Sequence, residues 1–243
     1  MKRPVIIAHE YIRNRILSGE FATGDTLSTK HLADDIGVSR TPIRDALRQL
    51  ETEGLVEIYP RQEARVKQAS YEELRDIWEL RIALETHAAS LAALRHTQED
   101  IERMERLLDE MRNLVEKFQD DPDRETRLRV HRLLGQADMR FHLSIFDASR
   151  NRLIKDEIHR FRLIHDVVLP FSKNPSRISD TKSFAENLIV WESHRTILDA
   201  IKAKDIEATY IAMKEHLTPP KKQQLQDLRD EMENRSIKLA ELV

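Results

Sequence analysis

The sequence predicts a mainly α protein: an N-terminal winged helix-turn-helix followed by an antiparallel α-helical bundle. Three observations predict it. A short turn at Gly37-Val38 opens a segment whose first residues are hydroxyls and arginines. Only 5 glycines occur in 243 residues, and 34% of the chain is charged. Beyond residue 70, apolar side chains recur at helical spacing. Scarce glycine with dense charge suits long amphipathic helices more than strands.

The length has room for two ordinary domains, and the boundaries are placed at 1–68 for the winged unit and 69–218 for the helical domain, with 219–243 a C-terminal helical extension. Ser28 or Thr29 starts a short helix through Lys30 to Asp35, which Ile36-Gly37-Val38 ends in a turn. The next helix opens at Ser39, whose side-chain oxygen is expected to cap it, with Pro42 in the first turn, where a missing N–H costs nothing. Arg40, Arg44 and Arg48 recur every four residues along one face, while Ile43, Ala46, Leu47 and Leu50 supply the face to bury. A guanidinium can bridge two acceptors of guanine in the major groove, worth about 1–3 kcal/mol of discrimination per good pair. Leu55 to Tyr59 and Val66-Lys67, on either side of residues 60–65, read as a two-stranded wing.

In the bundle, helices are expected near 70–95, 98–118, 125–148, 151–170, 181–203 and 206–217. Ser70 with Glu73, and Thr97 with Asp100, fit an N-cap with an acidic residue in the first turn. Asp120 to Asp123 and Lys173 to Ser176 are breaks. Pro219-Pro220 is expected to end the sixth helix, leaving 221–243 as one more, with Leu225, Leu228, Met232, Leu239 and Leu242 as a sparse apolar stripe that Arg235 interrupts.

Net charge is only −3, and residues 1–67 hold 11 Lys and Arg against 10 Asp and Glu, leaving 29 against 33 beyond them. Any nucleic-acid affinity must therefore come from a local patch. The absence of cysteine excludes disulfides and thiolate metal sites. No apolar run approaches the roughly 18 residues that suggest a membrane helix, and His9-Glu10 breaks up the start, so no membrane partner and a cytoplasmic location are expected.

Polar residues interrupt the apolar stripes of the bundle at a few places. Asp138 and His142 lie four apart beside Phe141, Ile145 and Phe146. His194 shares a face with Ile197, Leu198 and Ile201, and His216 with Met213 and Leu217. Singly, each histidine reads as a core residue bonded to a neighbour. Together, one carboxylate and three imidazoles from three helices can grip a divalent metal: zinc, with nickel or manganese as alternatives. Arg81 falls on the Ile77, Leu84, Ala88, Leu91 face and needs a partner there, either a small carboxylate ligand or an internal bridge to Glu85 or Asp138. His165 follows the Ile158, Phe161, Val168 stripe and reads equally as core or as cavity lining. Trp78 and Trp191 read as core.

The stretch GVSRTPIRDALRQLETEGLV resembles the signature of the GntR superfamily of bacterial transcription regulators. The resemblance implies that Lys30, Ser39, Arg40, Thr41 and Arg44 meet DNA, with Arg48 a further candidate one turn on. The wing departs from it, carrying Gln62-Glu63 where the family usually has glycine, so Arg61 and Arg65 are expected to touch only the DNA backbone. Further on, ELRIALETHAASLAAL, DMRFHLSI, NRLI, ESHRTILDAI and MKEHL together resemble the effector-binding FCD domain of the FadR subfamily. That implies metal ligands at Asp138, His142, His194 and His216; the helix faces described above make Arg81 and His165 the candidate effector contacts. It also implies a homodimeric, nucleoid-associated repressor that binds a palindromic double-stranded operator and senses a small carboxylate metabolite. Two stretches exceed the pattern, 118–136 and the tail after residue 220. The alternative reading is a metal-dependent, hydrolase-like enzyme fused to a DNA-binding domain. Against it, Glu192 is the nearby carboxylate preceding His194 and does not share its face.

Overall fold

The computed structural model describes residues 3–59, 63–117, 123–158 and 184–240. They divide into two compact units, with the boundary between Leu74 and Arg75.

The first unit begins with α1 (Pro4–Ser18), which the sequence reading did not anticipate. Its signals are Pro at the N-terminus and Ala8, Ile12 and Ile16 at spacing four, all buried. Next come β1 (Thr26–Leu27), α2 (Thr29–Ile36), α3 (Arg40–Thr52), β2 (Val56–Glu57) and β3 (Ala64–Val66). The wing is one strand richer than expected. β3 lies between β1 and β2, antiparallel to both, with Leu27 opposite Ala64 and Val56 opposite Val66. At two residues, β1 is too short for any periodic pattern to reveal it. The core joins the apolar faces of α1, α2 and α3 to Leu27, Leu55, Val56, Ala64 and Val66. Glu53 ties the end of α3 back to α1, receiving His9 at 2.6 Å and Arg13 at 3.5 Å.

Between α2 and α3 the chain turns at Gly37, whose φ of +74° is a left-handed conformation that costs glycine little. Ser39 occupies the N-cap position with extended backbone, but its side chain makes no capping hydrogen bond, contrary to expectation. Its hydroxyl stays exposed beside the exposed starts of Arg40 and Thr41.

The helical unit contains α4 (Tyr71–Arg95) from Arg75 on, α5 (Gln98–Glu116), α6 (Arg124–Ala148), α7 (described over 152–158), α8 (Phe184–Lys202) and α9 (Ile206–Ala240). Both expected capping boxes are present. Glu73 N–H donates to Ser70 Oγ while Ser70 N–H donates to the Glu73 carboxylate, and Thr97 and Asp100 do the same. Asp100 also receives Arg103 at 3.1 Å and Arg150 at 2.5 Å, pinning the turn after α6 to the start of α5. Burial by itself would raise the Asp100 pKa, but the Thr97 hydrogen bonds and the two guanidiniums hold it below its ordinary value. α5 packs on α6 and α8, and α8 on α9, around Met104, Leu108, Phe141, Phe146, Ile197, Ile201 and Met213.

The expected end of a helix at Pro219-Pro220 is not found: α9 runs through both prolines to Ala240, so the boundary placed at 218 falls inside one element. Each proline removes a backbone donor and crowds the preceding turn, a local cost of about 3 kcal/mol or more in a helix interior. What outweighs it is packing beyond the break. Gln224 accepts the Trp78 indole N–H at 2.9 Å, Lys221 lies 3.6 Å from Glu79, and Leu228 is buried.

Candidate metal centre and DNA-facing groove

In the winged unit, a groove is lined by Thr26, Thr29, Lys30, Arg40, Arg44, Glu63 and Arg65. The lining follows from the fold, since the turn at Gly37 sets the starts of α2 and α3 side by side and the sheet places β3 next to them. Of the six residues expected at DNA, Lys30, Arg40 and Arg44 line the groove, while Ser39 and Thr41 are exposed next to it. Arg48 stands apart, its side chain 74% exposed and 3.9 Å from Asp45. Arg65, the wing arginine expected to touch only the DNA backbone, joins the groove across the sheet. Glu63 sits there too, one carboxylate among four cations, and repels phosphate where a glycine would not. Gln62 and Arg61 lie outside the described residues.

In the helical unit, Asp138 and His142 come from α6, His194 from α8 and His216 from α9. One ligand atom from each lies within 4.8 Å of every other. Asp138 and His142 meet because i and i+4 share a helix face, and the apolar neighbours that flank them turn that face inward. His142 and His194 are 1% and 0% exposed, whereas Asp138 and His216 are half-buried. His142 Nε2 lies 3.1 Å from His216 Nε2 and 3.9 Å from Asp138 Oδ1. His194 Nε2 lies 2.9 Å from the same carboxylate oxygen.

The outer edges of the three rings are also occupied. His194 Nδ1 lies 2.8 Å from the Val190 carbonyl, His216 Nδ1 lies 2.8 Å from Ser193 Oγ, and His142 Nδ1 lies 3.1 Å from Glu85 Oε2, off the line of a good hydrogen bond. A carbonyl can only accept, so His194 Nδ1 carries a proton, and in the neutral ring Nε2 is then the lone-pair nitrogen. That buried Nε2 makes no hydrogen bond even though Asp138 is so near. Two electron-rich atoms at that distance in an interior call for a positive charge between them. Burial, then the neighbouring His194 and His142 rings, push the His216 pKa well below its ordinary value, which keeps a ligand-competent neutral imidazole. In their neutral forms three imidazoles with one carboxylate suit zinc, nickel or manganese, so the residues fit a divalent ion.

Arg81 takes one of the alternatives left open above. Its Nε donates to Glu85 Oε1 at 2.9 Å, both side chains are buried, and its guanidinium stacks 4.3 Å over the Trp78 ring. The inward face of α4 is Trp78, Arg81, Glu85, Ala88, Ala89 and Ala92, rotated from the Ile77, Leu84, Leu91 stripe that the sequence suggested. Glu85 was named there only as a partner for Arg81, although a carboxylate four residues after a buried arginine was itself a sign. Trp191 is half-buried, with its indole N–H donating to the Leu108 carbonyl. Glu192 is exposed on α8, and His165 lies outside the described residues.

Comparison with known proteins matches residues 8–66 to the family described as Bacterial regulatory proteins, gntR family, and residues 76–219 to the FCD domain. The HTH-type transcriptional regulator LutR of Bacillus subtilis is 31% identical over 222 residues, covering 84% of this chain and 93% of LutR. A probable D-xylose utilization operon transcriptional repressor of Paenarthrobacter nicotinovorans is 26% identical, covering 86% of this chain and 83% of its own. Among solved structures, E. coli McbR/YncC shares the fold with a TM-score of 0.67 at 24% identity, over 93% of this chain and 99% of that one. These relatives are transcriptional regulators, and the hydrolase-like alternative finds no support among them. Among the described residues, no helix is long and apolar enough to cross a membrane.

Proposed function

The chain belongs to the GntR family of bacterial regulatory proteins and carries an FCD domain, and from that premise we propose a metal-loaded, metabolite-responsive repressor. The winged unit sets the start of α3 into the major groove of operator DNA. Arg40 and Arg44 read base edges, with Ser39 and Thr41 beside them, while Lys30 and Arg65 hold phosphates and Arg48 adds a peripheral contact. Two copies of the chain bind the two halves of a palindrome, since an isologous dimer matches a two-fold operator.

The helical unit holds one divalent ion through Asp138, His142, His194 and His216. The observation that carries this reading is the unbonded, buried Nε2 of His194 facing Asp138. With one carboxylate and three neutral imidazoles, a divalent ion leaves the cluster at net +1. A half-buried positive charge favours an anionic ligand, so the effector is a small carboxylate whose oxygens take the open coordination positions. Arg81, already committed to Glu85 through Nε, contributes positive potential on the same side of the bundle. The effector acts on transcription by binding one DNA-compatible or incompatible arrangement of the dimer more tightly than the other.

Metal analysis of the protein purified without chelators tests the first half, with one equivalent of zinc, nickel or manganese per chain expected. A chain that stays metal-free after challenge with all three ions overturns it. Titration of small mono- and dicarboxylates against an operator complex tests the second half. No change in DNA affinity with any of them reduces the helical unit to a dimerisation body.

A further inference from the structure

The metal-ligand reading leaves unexplained why Ser193 stands beside His194 with its hydroxyl turned toward a different helix. Ser193 Oγ is 2.6 Å from the Val190 carbonyl and 2.8 Å from His216 Nδ1. A hydroxyl has one hydrogen to give. The carbonyl cannot donate, so that hydrogen goes to Val190 and the oxygen must accept from the imidazole. The Val190 carbonyl also receives His194 Nδ1 at 2.8 Å. One carbonyl on α8 thus orients His194 directly and His216 through Ser193, across the α8 and α9 packing.

We propose that Ser193 is a positioning residue that holds His216 in its Nδ1–H form, so that Nε2 is presented to the metal as a lone pair. The proposal rests on the metal-site reading for its purpose, but the proton placement stands by itself. His216 Nε2 faces His142 Nε2 at 3.1 Å, and a proton on Nε2 would occupy the space of the ion. Partners on the far nitrogen of a ligating histidine typically change metal affinity by about 10- to 100-fold when removed.

The test is a long-range proton–nitrogen NMR spectrum of the histidine side chains, recorded on metal-free full-length protein, followed by zinc affinity from chelator competition. Wild type is expected to show His216 protonated at Nδ1. S193A is expected to redistribute that proton toward Nε2 and to weaken zinc binding about tenfold. S193T, which keeps the hydroxyl, is expected to restore both. A wild-type His216 already protonated at Nε2 overturns the proposal without any variant, and so does an S193A spectrum and affinity equal to wild type. If wild type takes up no zinc, nickel or manganese, the metal reading fails, while the His216 spectrum still decides the role of Ser193.

Discussion

Lys30, Arg40 and Arg44 lie within fifteen residues of one another, on two consecutive helices, with their charges in solvent. Asp138, His142, His194 and His216 come from three helices far apart in sequence, with His142 and His194 fully enclosed. The winged unit therefore carries its chemistry on a surface built by local structure, and the helical unit carries it in an interior built by packing. A charge in water costs little to display, so its position needs only a helix and a turn. An imidazole in an apolar interior needs a partner for each nitrogen, so its position needs several elements at once.

The comparison is broken most directly by removing interior donors. The pair of substitutions H142A and H194A should lower zinc affinity by more than the roughly 100-fold that loss of an outer partner causes. Chelator competition measures it, and operator affinity in the absence of effector should hold if the two chemistries are separable. The converse is R44A, which should weaken specific operator binding by about tenfold or more while metal content is unchanged, as read by fluorescence anisotropy and metal analysis. Retained affinity would remove α3 as the reading helix.

A structural control sharpens the contrast. D100N takes charge from the cluster with Arg103 and Arg150 and should cost about 2 kcal/mol in urea unfolding at neutral pH, without touching either site. The folded-state pKa of Asp100 lies below its ordinary value of 3.8, so its contribution is fully present above that pH and is lost as pH falls through the lower folded value. The wild-type advantage over D100N should accordingly vanish at strongly acid pH. The smallest effect is expected for R48A, whose side chain stands outside the groove. It should weaken all DNA sequences alike and reduce the salt dependence by about one unit of slope at most.

Several features were legible because local physics decides them. Glycine at φ +74° marks the turn, and the Ser70-Glu73 and Thr97-Asp100 pairs mark two helix starts. Asp138 and His142 share a face by spacing alone. Other features escaped because no local rule points to them. α1 was hidden in a start read only for what it was not, although its buried stripe was visible at residues 8, 12 and 16. β1 exists only as a neighbour of β3. Ser39 has the right residue type for a cap and the right backbone, yet its hydroxyl makes no capping bond.

The sequence by itself determined the helical class, the two-part organisation, the arginine-bearing face of α3 and the shared face of Asp138 and His142, because each depends on spacing along one element and on residue type. Only tertiary structure decided that Arg81 turns to Glu85, that Arg65 joins the groove, and that Ser193 and Val190 hold the rings of His216 and His194. It also decided that α9 continues through two prolines. The reason is the same in each case: these outcomes depend on which partner lies across an interface. Trp78, Glu79 and the burial of Leu228 act on α9 from outside its own sequence, and together they outweigh the local preference of Pro219-Pro220 to stop.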